Sequence, residues 1–374
     1  MSFVDLAVVQ QRVTVGIPLP FDVYDADETL LLARGHVLET DDQLDQLLQR
    51  GARVGLADAA PTAATVQAAR PEELPGLLRS AMALACETLG KAPTEGYEAV
   101  VDAVAEPLMA IVEADPDLAI FQIIRQEGNY LTQYGVTHSI HCAFTAFLVA
   151  TRFGWSEADV RRAFNSALTM NVSMLELQGQ LAIQGFPMTA AQRALIDSHP
   201  RRSSLMLEAV GISDLDWLAA VRQHHDTEPC IDSSTTVNEL ASLLRSADTY
   251  TAKLSPRRNR EALSADVAAR LMFAANRGDP ATAALVKEFG LYPPGCHVRL
   301  TCGETGIVVR RGELAHIPWV AVTNDAHGRP LPEPIRRNTA QPDYKVAAVV
   351  SSGPARMRFS AETLQRVAWA PSTH

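Results

Sequence analysis

From Pro71 to about Phe289 apolar residues recur at helical spacing, interrupted only by helix-start and helix-stop signals. That run leaves little choice of fold class for the centre of the chain. Asp115-Pro116 opens a helix carrying Leu118, Phe121, Ile124 and Leu131. Ser156-Glu-Ala-Asp159 is a capping box before Val160, Phe164 and Leu168, and Thr189-Ala-Ala-Gln192 is another, opening a helix expected to stop at His199-Pro200. Ser213-Asp-Leu-Asp216 opens a helix through Trp217, Leu218 and Val221 to His224, and Asp279-Pro280 starts one ending near Phe289-Gly290.

On either side the period changes. Residues 1–56 read as a small α/β module. Val13 to Pro20 forms a strand running into a turn, Leu30-Leu-Leu-Ala a second strand, and Thr40-Asp-Asp-Gln caps a helix that Gly51 ends. Residues 57–116 are linker and helical lead-in, the part from Ala57 to Ala69 being rich in Ala, Thr and Pro. After Tyr292-Pro-Pro-Gly295, the stretches Cys296–Thr301 and Gly306–Arg310 form a hairpin, and strands follow at Pro318–Thr323 and Tyr344–Val350. These make a small β module over 291–350, with a weakly patterned tail over 351–374.

Of the 374 residues 47% are apolar, enough to bury real cores, and the net charge of −10 disfavours a duplex-binding surface, which needs clustered Lys and Arg. Cys86, Cys142, Cys230, Cys296 and Cys302 are odd in number and lack CxxC spacing, which argues against disulfides or a zinc knuckle. The N-terminus has no signal-peptide pattern, and no apolar run approaches the roughly 20 residues of a membrane span. The expected location is cytoplasmic.

Five of the ten histidines, His138, His141, His199, His224 and His225, lie in the helical region, with Asp248 following. His138 and His141 share a helix face, while His199 and the His224-His225 pair come at helix ends. Imidazoles with a carboxylate suit zinc, iron or manganese. Spacing alone is a weak signal and favours ordinary core or surface histidines that satisfy backbone groups.

The order of the pieces adds information. Tyr134-Gly-Val-Thr-His138-Ser, Ala167-Leu-Thr-Met170-Asn171-Val-Ser-Met174, His199-Pro200, His224-His225, Ala247-Asp248-Thr-Tyr250 and Ser255-Pro-Arg257-Arg258-Asn-Arg260 together resemble the HD-GYP family of metal-dependent cyclic di-GMP phosphodiesterases, over about Asp117 to Leu300. The resemblance implies a mainly α fold: an HD-type helical bundle over 117–290, flanked by the two small β-containing modules. It also implies that His138, His199, His224, His225 and Asp248 hold metal, and that Arg257, Arg258 and Arg260 lie near ligand phosphates. A charged surface turn accounts equally well for the three arginines.

The chain departs from the family where the chemistry is concentrated. The His-Asp pair, whose carboxylate bridges two cations, aligns with Met170-Asn171, and the Lys that follows aligns with Met174. No Gly-Tyr-Pro follows His225. A thioether is a poor ligand for hard cations and a neutral amide bridges two cations badly. Met170 and Met174, four apart, would pack on one helix face, and Asn171 would hydrogen-bond to His138 or Asp248. Glu208 and Glu228 are the nearest other carboxylates, without an evident role. The expected function is therefore a catalytically degenerate signalling module that binds a protein partner or cyclic di-GMP, with no metal or one residual divalent ion (Fe, Mn or Zn). The alternatives are an active metal-dependent phosphohydrolase with an altered site, and a helical adaptor in which the histidines are incidental. A homodimer is compatible with such a bundle.

Overall fold

The computed structural model describes residues 3–55, 58, 60–126, 133–258, 260–276, 278–350 and 359–369. It is mainly α, with one small antiparallel sheet near each end. Leu131 and Asn259 lie outside the described residues, as do 351–358 and 370–374 of the tail.

The first sheet pairs β1 (Phe3–Asp5), β4 (Arg53–Gly55), β2 (Val23–Tyr24) and β3 (Leu30–Leu32) in that order. Helix α1 (Asp41–Gln49) starts at the Thr40 capping box, and Gly51 beyond it has φ +69°. The expected strand at Val13–Pro20 does not form. A 3-10 helix covers Leu6–Arg12, Gly16 turns the chain at φ +83°, and only Pro18 makes an isolated bridge, to Val37. Pro18 and Pro20 have no N–H to give a ladder. The expected linker also contains a helix, α2 (Ala63–Ala68), capped by Thr62 and anchored by buried Val66.

Helices α3 (Leu74–Leu89), α4 (Tyr97–Ala114), α5 (Pro116–Arg125), α6 (Tyr134–Phe153), α7 (Glu157–Thr169), α8 (Leu175–Ile183), α9 (Ala190–Ala209), α10 (Leu215–Gln223), α11 (Thr235–Leu254), α12 (Ala265–Ala275) and α13 (Pro280–Phe289) build the centre. One apolar core runs through them from Val66 to Phe289. Helix α6 is its axis, buried at every residue from Tyr134 to Ala150. A Cβ on Gly135 would fall on the Leu175 backbone, so glycine there lets α8 approach the start of α6. Helix α9 does not stop at Pro200 as the sequence suggested. It continues nine residues further to Ala209, with Pro200 inside it.

The second sheet has the order β8 (Pro330–Asn338), β7 (Trp319–Asn324), β6 (Thr305–Arg310), β5 (His297–Leu300), β9 (Val346–Val349), all antiparallel. Strand β8 escaped sequence reading because Pro330, Pro332 and Pro334 alternate along it. An edge strand tolerates them when their missing N–H groups face away from the neighbour. The tail returns as α14 (Ala361–Trp369), whose Leu364 and Ala368 pack on Phe121, Ile307 and Val309. Arg311 joins this sheet to the bundle by reaching Asp117 and Glu288. No helix among the described residues is long and apolar enough to cross a membrane.

Candidate metal centre

Proline 200 shapes the site. Having no N–H, it leaves the carbonyl of Ile196 without its helical donor. His199 Nδ1 donates to that carbonyl instead, at 2.6 Å. His224 follows the last residue of α10, where carbonyls are also free, and its Nδ1 donates to Val221 O at 2.7 Å. A carbonyl only accepts, so both rings carry their proton on Nδ1 and expose an Nε2 lone pair. The two Nε2 atoms converge to 3.1 Å. Both rings are fully buried, and burial pushes His199 down to about 4 and His224 down to about 3. At neutral pH no proton sits between the lone pairs, and a shared cation would relieve their mutual repulsion. Exposed His225 completes a cluster with them, its ring centroid 5.0 Å from that of His199 and 4.4 Å from that of His224.

His138 and Asp248 form a second cluster with Cys142. His138 Nε2 lies 2.8 Å from Asp248 Oδ1 and 3.6 Å from Cys142 Sγ. Burial alone would lower the His138 pKa, but Cys142, Tyr134 and Asp248 carry it well above its ordinary value. Burial likewise acts to raise Asp248, and the His138 hydrogen bond and charge overcome it, holding the carboxyl well below the usual carboxylate range. The pair is an imidazolium–carboxylate bridge. The Tyr134 ring stacks on His138, centroids 5.6 Å apart and planes within 6°.

The five expected ligands thus come together in the fold as two groups. At position 171 the chemistry is reduced. Asn171 is fully buried, and neither its Oδ1 nor its Nδ2 has a hydrogen-bond partner. The expected bond to His138 or Asp248 is not made. Asn171 sits in the turn between α7 and a short 3-10 helix, Val172–Met174. Ser173 pins that turn to α9 by donating to His199 O at 3.2 Å. Met170 and Met174 do not share a helix face either: Met170 caps α7 inside the main core, and Met174 belongs to the 3-10 turn.

The three arginines are tied to protein acceptors. Arg257 donates to Tyr134 Oη at 3.2 Å and lies over its ring, Arg258 packs on Gly185 and donates to Ile183 O at 3.4 Å, and Arg260 donates to Ala252 O. Glu228 lines an open cleft of about 870 Å³ together with Trp155, Asp226 and Arg245. None of the five metal-site residues borders that cleft, and Glu208 is exposed. Cys142 and Thr251 were missed in the sequence, although each stands one helical turn beyond an expected ligand: Cys142 after His138, Thr251 after Asp248. His141, on the helix that carries His138, has both ring nitrogens buried without a partner.

The donor set fits one borderline cation, which His199, His224 and His225 would hold through neutral imidazoles. It does not fit two carboxylate-bridged cations. Asp248 is engaged by His138, and Asn171 brings no charge.

No family model matches the sequence, and none of the curated proteins matches it. Among solved structures the chain is similar to Bd1817, a HDG"Y"P protein from Bdellovibrio bacteriovorus, with 14% sequence identity and a TM-score of 0.47, over 76% of this chain and 97% of that one.

Proposed function

We propose that this chain is a binding and signalling module on an HD-type scaffold. It holds a divalent cation at His199, His224 and His225, and binds a protein partner or cyclic di-GMP without efficient hydrolysis. The observation that carries the reading is the division of the donors: three imidazoles on one side, a carboxylate captured by His138 on the other, and the unpaired Asn171 amide in the turn pinned beside His199. In-line attack on a phosphodiester by a metal-bridging hydroxide needs a carboxylate that links two cations. This chain supplies none from Asn171. The cation itself would polarise a bound phosphate or carbonyl oxygen and order the His224-His225 turn.

The test combines turnover and binding. The purified protein is incubated with cyclic di-GMP and Mn²⁺ or Fe²⁺, and linear and mononucleotide products are followed. Metal content and dinucleotide binding are measured in parallel. The expected result is about one tightly held ion through the three histidines, lost in His199→Ala or His224→Ala, and no turnover above background. Chelator-sensitive turnover on the order of 1 s⁻¹ or faster, the usual enzymatic range, would overturn the reading in favour of an active phosphohydrolase.

A further inference from the structure

We propose that His138, Cys142 and Asp248 form a separate thiolate-containing cation site, selective for a borderline-soft ion such as Zn²⁺ over Mg²⁺ or Mn²⁺. The inference shares a scaffold with the function proposed above but not its ligands, so each can fail alone.

Helical spacing creates the site. His138 and Cys142 are four residues apart on α6 and present adjacent side chains, while Asp248 faces them from α11. The three donor atoms lie within 4.8 Å of one another. Ligands on a tetrahedral zinc ion, with bonds of about 2.0–2.3 Å, stand roughly 3.3–3.8 Å apart. His138 Nε2 and Cys142 Sγ are already at 3.6 Å, and Nε2 and Asp248 Oδ1, now at 2.8 Å around a proton, need only separate by less than about an ångström.

Outer contacts suit a thiolate. Thr251 Oγ1 lies 3.1 Å from Cys142 Sγ and 2.8 Å from Ala247 O, so its hydroxyl can turn from the carbonyl to donate to a thiolate sulfur. Stacked Tyr134, itself held by Arg257, fixes the plane of the His138 ring. Charge balance favours binding as well. A divalent cation with one thiolate, one carboxylate and one neutral imidazole is neutral overall, which a pocket with His138 and Cys142 fully buried requires. Binding sends two protons to solvent, the thiol proton and the one shared by His138 and Asp248. No bond is oxidised or reduced. The Asp248 side chain, 16% exposed, is the point of entry. A thiolate ligand discriminates against hard ions, unlike a carboxylate-bridged centre.

The experiment is a Co²⁺ titration of the chelator-stripped, full-length protein. The expected result is a near-ultraviolet thiolate-to-cobalt charge-transfer band that Zn²⁺ bleaches and excess Mn²⁺ does not. Cys142→Ser should abolish the band and lower the bound ion by about one per chain, whereas His224→Ala and the control Cys302→Ser should retain the band. Cobalt bound without the band, or a band that survives Cys142→Ser, would overturn this inference and leave the three-histidine cation standing. No cobalt bound at all would overturn both. Should Cys142→Ser fail to fold, X-ray absorption of the zinc-loaded wild type decides: a sulfur neighbour at about 2.3 Å is expected, and a shell of nitrogen and oxygen alone refutes it.

Discussion

Acidification of the metal-stripped protein from pH 7 to pH 5 should cost it several kcal/mol of stability. His141, His199 and His224 are held neutral by burial, with pKa values pushed down to about 3, about 4 and about 3. Unfolding returns each to about 6.5. Each folded value lies below the unfolded one, so the unfolded chain binds more protons and stability falls as pH drops below about 6.5. At pH 5 each histidine then costs about 2 kcal/mol, and the three together about 6 kcal/mol, within a total of about 5–15 kcal/mol for an ordinary domain. His138 has the opposite sign. Its raised pKa contributes stability that is fully present below the unfolded value and is lost as pH rises through the folded one, so it adds nothing to the acid loss. Asp248, with a lowered pKa, loses its contribution only as pH falls below the ordinary carboxylate range. Urea unfolding followed by circular dichroism at pH 7, 6 and 5 in chelator gives the measurement. A free energy constant to within about 1 kcal/mol would refute the buried neutral assignment.

Further predictions concern single side chains. His141→Leu should stabilise the protein by about 1 kcal/mol at pH 7, because it removes two buried ring nitrogens that have no partner, and should also remove about a third of the acid loss. Paired urea curves with the wild type check both. Arg311→Ala should cost about 2 kcal/mol in denaturant melts, since it leaves the buried Asp117 carboxylate and Glu288 without their shared guanidinium. Thr189→Ala should cost about 1 kcal/mol through loss of the cap on Gln192 N at 3.2 Å, read from the same melts. Asn171→Asp should destabilise the stripped protein by about 2 kcal/mol, since it buries a carboxylate where the amide already has no partner. Saturating Zn²⁺ should recover much of that loss, and equal melting with and without metal would count against a cation near position 171.

The bundle could be read from the sequence where local signals and packing agree. The boxes at Thr40 and Thr189, the cap at Ser156 and the Asp279-Pro280 start all open helices in the structure. The misreadings came where a contact that periodicity does not encode overrode the local rule. Pro200 reads as a stop, yet the helix passes through it because His199 takes the carbonyl that proline leaves vacant. Val66 gives an Ala-Thr-Pro stretch one buried anchor, enough for a short helix, and β8 keeps its prolines only because it is an edge. At the site, histidine spacing pointed to the residues that cluster but not to their partition into two groups. Which nitrogen each ring turns outward depends on carbonyls at Ile196 and Val221, and periodicity carries no information about those.

That dependence on backbone carbonyls explains how the three-histidine cluster tolerates an amide at position 171. Ordinarily a ligating imidazole is oriented by a partner on its second nitrogen, often a carboxylate. Here the partners are main-chain groups one turn back, supplied by a proline inside α9 and by the end of α10. Neither involves Asn171, Asp248 or a bound ion. The lone pairs of His199 and His224 therefore converge as a consequence of folding, and their 3.1 Å approach is held by the helices that carry them. The other cluster is held by its own contacts, with His138 and Cys142 on one helix and Asp248 on another. The two are nevertheless coupled through charge: Asp248 acts to raise His199 and His224 against burial, and His224 and His225 act to lower Asp248. Donors divided in this way fit the proposed binding role better than bridged hydrolysis, in which both ions act on one oxygen.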